Sequence, residues 1–404
     1  MTNVRITVLT GTIALWACAS APPVSNPGAP IPPQRSGPRV VGYYYGATSQ
    51  RGFPVSAIQA EKLTHIVYAF GEVREDGSVA VDNPSFDVAN FEAIKSLKQR
   101  TPQLQVLIAL GGWGGSKYFS NAASTPEMRT RFAQSVVDVF FKQYPGVFDG
   151  VDIDWEYPVS GGEKDNIHRP EDKQNLSALV EELRRRLDAY AGSSRKHYLI
   201  TIAAPAGAGQ LAKFEMARLG NLLDFINVMT YDFHTGGTAA HFNAPLGSPS
   251  DDPSPNLNVQ KSVDAFLAVG VPANKIVVGV PFYGYGYAGV ATTAAGRFQP
   301  IDKTATTDSI TRKRWTGALR YNQLGAAITE GFERHWDDVA RVPWLYNSKT
   351  RIFITYDDPR SIGEKAAYVR NKKLGGIMIW ELSGDDGALL TAINQSLIAK
   401  SPNR

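Results

Sequence analysis

The sequence predicts an α/β protein, a closed (β/α)8 barrel of the TIM type with a small α+β module inserted between strand 7 and the helix that follows it. Three observations predict this fold: eight short runs rich in β-branched and aromatic residues, helical periodicity between them, and one interval too long for the repeat. Strands that alternate with helices pair in parallel, and eight repeats of one unit favour a closed barrel over an open doubly wound sheet.

Each of the eight runs is bounded by Gly, Pro or polar residues, as strands usually are. The runs are 40–45, 65–70, 106–110, 150–155, 199–203, 225–229, 276–280 and 376–380. Between them, apolar residues recur with helical spacing, most clearly in 127–144 and 173–190. Thr125 before Pro126 is typical of a helix start. We therefore assign the barrel to 39–286 and 351–404.

The interval 287–350 interrupts this alternation. A structureless loop of that length is rare in a compact domain, so we expect a folded insertion there. The interval is rich in aromatic residues, Trp336 among them, which indicates a core of its own and favours a role as a wall of a cleft.

The amino-terminal region predicts export. Residues 1–20 run from Arg5 through an apolar stretch to small residues, the pattern of a secretory signal. The only cysteine, Cys18, stands where a bacterial lipoprotein signal places its acylated cysteine. We therefore expect a chain that is secreted, or anchored to a bacterial cell envelope by a lipid at Cys18. Residues 21–38 contain seven prolines and predict an extended spacer.

Composition narrows the classes of function. The 42 basic and 38 acidic residues leave a net charge of +4 and form no long run of one sign, which does not indicate binding to nucleic acid or anionic lipid. One cysteine excludes intrachain disulfides and cysteine-rich zinc clusters, and the six histidines lack metal-ligand spacing. A neutral ligand, without a metal or cofactor, fits this composition better.

The fourth run carries the chemistry. Because side chains alternate along a strand, Asp152, Asp154 and Glu156 share one face, and Glu156 lies at the carboxyl end, where barrel enzymes place their active sites. Carboxyl groups about 6.6 Å apart in an enclosed interior cannot all ionise freely, so at least one pKa should rise, as a general acid requires. The alternatives are an acidic strand face open to water and a metal site. The first is disfavoured because barrel strands are covered on both faces. Against the second, calcium sites prefer loops.

The segment 149–158, DGVDIDWEYP, resembles the D-x-x-D-x-D-x-E signature of family-18 glycoside hydrolases, the chitinases and their relatives. The segments that resemble other strands of that family are 41–44, 68–70, 229–232, 281–284 and 376–380. The resemblance implies an endo-type chitinase that cleaves β-1,4 linkages between N-acetylglucosamine units with retention, the substrate's own N-acetyl carbonyl serving as nucleophile.

Roles for single residues also follow from the resemblance. It implies that Glu156 protonates the glycosidic oxygen, while Asp154 turns toward Glu156 and Asp152 holds Asp154 from below. Tyr231 would donate a hydrogen bond to the acetamide carbonyl. Residues expected to contact the sugar are Trp380, Asp232, Met229, Tyr43, Trp113, Tyr157 and Tyr45. For Tyr43, Tyr45, Trp113 and Trp336, simple packing is the alternative to a role as a sugar platform.

Two positions depart from the family pattern. Ala109 stands where the family usually has a serine hydroxyl that supports the buried acid, and Tyr285 stands where an arginine often follows Phe-Tyr-Gly. Two other functions stay open: a chitin-binding lectin without turnover, and an endo-β-N-acetylglucosaminidase that acts on N-linked glycans or peptidoglycan. The chain is expected to be a monomer.

Overall fold

The structure is a computed structural model that describes residues 37–304 and 309–398. The expected signal segment with Cys18, and residues 21–36 of the expected spacer, lie outside these ranges. Within them, none of the helices is both long enough and apolar enough to cross a bilayer.

Fourteen strands lie in the described ranges. They are β1 (Arg39–Tyr45), β2 (His65–Val73), β3 (Val79–Val81), β4 (Gln105–Gly111), β5 (Gly150–Asp154), β6 (Leu199–Pro205), β7 (Phe225–Met229), β8 (Ile276–Pro281), β9 (Tyr283–Ala288), β10 (Gly317–Arg320), β11 (Glu333–Asp337), β12 (Val342–Asn347), β13 (Ile352–Thr355) and β14 (Gly376–Trp380). Eight of them pair in parallel in the order β1-β14-β8-β7-β6-β5-β4-β2, and a β1–β2 pairing closes the ring. These eight coincide with the eight predicted runs, so the predicted barrel is confirmed.

The helices are α1 (Pro84–Arg100), α2 (Phe119–Ala123), α3 (Pro126–Val136), α4 (Asp172–Ala191), α5 (Ala208–Leu211), α6 (Met216–Leu222), α7 (Val259–Ala268), α8 (Ser309–Trp315), α9 (Tyr321–Thr329), α10 (Pro359–Asn371) and α11 (Ala388–Ile398). The predicted start of α3 is confirmed, because the Thr125 side chain accepts a hydrogen bond from the backbone N–H of Met128 at 3.2 Å. Wider helical turns continue α3 as far as Lys142.

The barrel strands separate two apolar regions. Val151, Ile153 and Trp155 pack outside the barrel, beneath the helices, where Trp155 stacks on Phe119 at 5.4 Å between ring centroids. A smaller cluster that includes Tyr43 and Met378 fills the interior. The outward and inward faces of β5 are therefore those that strand alternation predicts.

Asp149, just before β5, differs in parity from the other acids of the motif and lies apart from them. Its carboxylate accepts hydrogen bonds from Lys98 at 2.6 Å, from Lys196 at 2.9 Å and from the backbone N–H of Val106 at 3.0 Å. These contacts tie the start of β5 to α1, to β4 and to the segment before β6.

A second, antiparallel sheet lies between β8 and α10, in the order β10-β9-β13-β12-β11. Helices α8 and α9 accompany it, and buried residues that include Trp315 and Phe332 form its core. The sheet extends beyond the range 287–350, because β9 begins at Tyr283 and β13 ends at Thr355. The reason is local: β9 alternates Tyr with Gly, and glycine is depleted in strands, so the strand signal of this segment is weak.

Candidate active site

Three buried carboxyl groups lie inside the barrel along β5 and just past its end. Asp152 and Asp154 belong to the strand, and Glu156 follows it by two residues. The backbone of Glu156 is held on both sides: its N–H donates to Ser116 Oγ at 2.8 Å, and its carbonyl accepts from Asn166 Nδ2 at 2.7 Å. The sequence-predicted row of acids is thus brought together at the carboxyl end of the barrel.

Asp152, the deepest of the three, is surrounded by donors. Tyr43 Oη donates to Oδ2 at 2.7 Å, Asn227 Nδ2 donates to Oδ1 at 3.2 Å, and Thr201 Oγ1 also donates to Oδ1. Burial raises the pKa of Asp152 above its ordinary value, while these hydrogen bonds favour the charged form and limit the rise.

Asp154 and Glu156 share an environment that favours protonation. Burial raises the pKa of Asp154 well above its ordinary value, and the charges of Glu156 and Asp152 raise it further. Burial also raises the pKa of Glu156 to about 7, against hydrogen bonds from Tyr157 and Asp154. A carboxyl group with a pKa near neutrality can both donate and accept a proton at physiological pH.

Trp380 is the last residue of β14 and packs against the interior cluster of the barrel. Its partly exposed ring meets Tyr43 edge-on, with centroids 5.6 Å apart, and lies 5.8 Å from Phe70. Tyr43 itself is 1% exposed, so its ring has no open face for a sugar. The platform interpretation of Tyr43 therefore gives way to its contacts with Asp152 and Trp380.

Met229 and Tyr231 pack against the same interior cluster as Trp380. The Tyr231 hydroxyl donates to Met378 Sδ at 3.9 Å, a weak contact that a ligand oxygen could replace. Asp232 is exposed, and Tyr283 Oη donates to its Oδ1 at 2.6 Å. Tyr285, at the position where the family often has Arg, packs edge-on against Tyr283 at 5.7 Å.

Three further candidates lie around the acids. Trp113 is 51% exposed, and its Nε1 donates to Glu163 Oε1 at 2.5 Å. Tyr45 is exposed at the end of β1, and Tyr157 is partly buried beside Glu156. Trp336 lies on the edge strand β11, where the Arg360 guanidinium covers one face of its ring at 3.7 Å. That contact favours the packing interpretation of Trp336.

Several residues of the site were not predicted: Thr201, Asn227, Ser116 and Glu163. Thr201 and Asn227 each stand as the polar residue within an otherwise apolar strand, and that was the signal available in the sequence. Ser116 and Glu163 lie in loops, where their contacts depend on chain paths that no local pattern specifies. Within 37–304 and 309–398, no three His, Cys, Asp or Glu side chains are grouped so that they could hold a metal ion.

A closed parallel barrel that carries buried carboxyl groups at a strand end has the architecture of a barrel glycoside hydrolase. Residues 39–385 match the family described as "Glycosyl hydrolases family 18". The chain belongs to this family.

Individual relatives agree with this assignment. Chitinase A1 of Niallia circulans is 38% identical over 402 residues, which cover 86% of this chain and 56% of that protein, so the chain spans little more than half of that relative's length. The structure of chitinase ChiA74 from Bacillus thuringiensis is similar with a TM-score of 0.82 and 31% identity, over 91% of this chain and 71% of that one. A family 18 N-acetylglucosaminidase from Paenibacillus barengoltzii has a TM-score of 0.78 and 33% identity, over 89% of this chain and 100% of that one.

Replacing Glu156 by Gln is expected to remove a pH dependence from the stability of the fold. The pKa of Glu156 is raised from 4.5 to about 7. The unmodified chain therefore loses free energy of unfolding as pH rises through this window, because the unfolded state ionises first. Gln does not ionise, so the melting temperature of the variant should exceed that of the unmodified chain by about 2–5 °C above pH 7, and by less near pH 4.5. Thermal unfolding at both pH values measures the difference, and an equal difference at both would contradict the prediction.

Proposed function

We propose that this protein is a chitinase, which hydrolyses β-1,4 linkages between N-acetylglucosamine units with retention of configuration. The observation that carries the proposal is the buried Glu156 at the end of β5, with a pKa raised to about 7 and with Asp154 hydrogen-bonded to it. The names of the relatives support the same substrate class, since they include chitinases and an N-acetylglucosaminidase.

The proposed reaction needs no carboxylate nucleophile from the protein. Glu156 gives its proton to the glycosidic oxygen, while the acetamide carbonyl oxygen of the reacting sugar attacks the anomeric carbon and the bond to the leaving sugar breaks. Glu156 then takes a proton from water, which opens the cyclic oxazolinium ion from the same face. The product regains its acetamide group, and Glu156 regains its proton.

Other side chains are assigned to the sugar. Asp154 accepts a hydrogen bond from the acetamide N–H, and Tyr231 donates one to the acetamide carbonyl, which orients the attacking oxygen. Trp380 supports the C–H face of the ring from below, and Asp232 binds a sugar hydroxyl. The partial exposure of Trp380 and the weak contact of the Tyr231 hydroxyl support these roles. The proposal also includes export of the chain, with lipid attachment at Cys18 in an anchored form.

Proton NMR of products from N-acetylglucosamine tetra- and hexasaccharides tests this function. We expect the β-anomer at newly formed reducing ends in the first minutes, before mutarotation equilibrates the anomers. The same spectra report which linkage is cut, and so separate internal cleavage from release of single units. Binding without any product would identify a lectin, and the α-anomer would exclude substrate-assisted retention. Cleavage restricted to N-linked glycans or peptidoglycan would replace the substrate class.

A further inference from the structure

Asp152 has two direct neighbours across the barrel sheet, and they differ in chemistry. In the register of the strands, Ala109 of β4 stands on one side of Asp152 and Thr201 of β6 on the other. All three are fully buried. Ala109 can offer only a methyl group. Thr201 carries a hydroxyl on the opposite side of the same carboxylate.

The Thr201 hydroxyl makes a hydrogen bond to Asp152. Oγ1 donates to Asp152 Oδ1, the oxygen that also accepts from Asn227 at 3.2 Å, while Tyr43 donates to Oδ2 at 2.7 Å. A buried carboxylate depends on such donors, because water cannot reach it to stabilise the charge. The methyl group of Ala109 leaves this carboxylate without a donor from β4.

We propose that Thr201 is the positioning residue for Asp152 in the reaction, and that it supplies from β6 the hydroxyl that β4 lacks at Ala109. This inference rests on the proposed function, because Asp152 acts on the substrate through Asp154 and Glu156.

The groups that face Asp152 make its charge sensitive to this contact. Tyr43 approaches from β1, Asp154 follows on β5, and Tyr231 lies beyond the end of β7. At the level of Asp152, the strands β4, β6 and β7 present the uncharged side chains Ala109, Thr201 and Asn227. Removing one donor favours the protonated form of Asp152, so the acidic limb of the pH–rate profile should move to higher pH.

Three variants test the inference: Thr201→Val, which keeps the shape and removes the hydroxyl, Thr201→Ser, which keeps the hydroxyl, and the double variant Thr201→Val/Ala109→Ser, which returns the hydroxyl to β4. On chitin oligosaccharides, we expect Thr201→Val to lower kcat by about 10- to 100-fold with little change in KM, and to shift the acidic limb upward. Thr201→Ser should retain the profile of the unmodified chain. The double variant should recover most of kcat and return the acidic limb toward its original position. Ala109→Ser alone is the matched control.

A folded Thr201→Val variant with an unchanged kcat and pH profile would overturn the inference, as would a folded double variant no better than Thr201→Val. Failure of the proposed function is distinguishable, because the unmodified chain would then release no product. In that case the pH dependence of unfolding tests the hydrogen bond between Thr201 and Asp152. The loss of stability caused by Thr201→Val should grow as pH rises and Asp152 ionises. A loss that does not change with pH would overturn the contact itself.

Discussion

Glu156→Gln is expected to lower kcat on N-acetylglucosamine oligosaccharides by about 10³-fold while it leaves their dissociation constants within a few-fold of those of the unmodified chain. General acid–base catalysis by a placed side chain contributes about 10²–10⁴ in rate, and the amide cannot donate a proton to the leaving oxygen. Gln has nearly the same shape as Glu and retains hydrogen-bonding capacity toward Asp154 and Tyr157. Steady-state hydrolysis and calorimetric titration of the same preparation measure the two effects.

Glu171→Gln is the matched control. It makes the same chemical change on an exposed residue immediately before α4, away from the barrel interior. Its kcat should equal that of the unmodified chain. If Glu156→Gln turned over substrate at the unmodified rate, Glu156 would not be the acid, and another proton donor would have to be found.

The second large effect is expected on stability, from Lys365→Met. Lys365 Nζ lies 2.5 Å from Asp357 Oδ1, and the two side chains are 0% and 1% exposed. Ser361 Oγ also donates to Asp357 Oδ1, at 2.6 Å. Removal of the lysine leaves the carboxylate buried with the hydroxyl as its remaining donor in the structure, a change that typically costs about 3–5 kcal/mol. Equilibrium unfolding in urea measures this loss.

Two comparisons show whether burial is the cause. Arg218→Met breaks two surface ion pairs, one with Glu181 in which both side chains are 44% exposed and one with Glu215 at 3.1 Å, and it should cost less than about 1 kcal/mol. The double variant Lys365→Met/Asp357→Leu removes both buried charges and should recover much of the stability lost by Lys365→Met. A similar small loss for Lys365→Met and Arg218→Met would contradict the prediction.

The barrel could be predicted from the sequence because each of its strands is a compact run with few competing interpretations. In β5, strict alternation placed Val151, Ile153 and Trp155 outside and the acids inside, and the structure agrees. The second sheet could be predicted only as an insertion. Its strand order depends on antiparallel pairings between distant segments, such as Tyr285 with Thr355, and no local pattern encodes those pairings.

The candidate site also contains residues that the sequence predicts and contacts that it does not. Asp152, Asp154 and Glu156 were identifiable because they stand two residues apart along β5 and its continuation, and alternate positions of a strand share one face. The supporting contacts were harder to predict: a threonine such as Thr201 suits any strand, so its type alone does not indicate a hydrogen bond to a carboxylate on the neighbouring strand β5. Tyr43 was predicted to contact the sugar, whereas in the structure it lies buried in the barrel and donates to Asp152. Its burial depends on the contact with Trp380, which in turn packs against Phe70.

The second sheet has one further consequence. The strand through which the chain enters it, β9, pairs directly with the strand through which it leaves, β13. The chain therefore leaves the barrel after β8 and returns to it before α10 through two strands that lie side by side. A change of length between β9 and β13 can therefore leave these two paired strands, and the acid-bearing strand β5 of the barrel, in place.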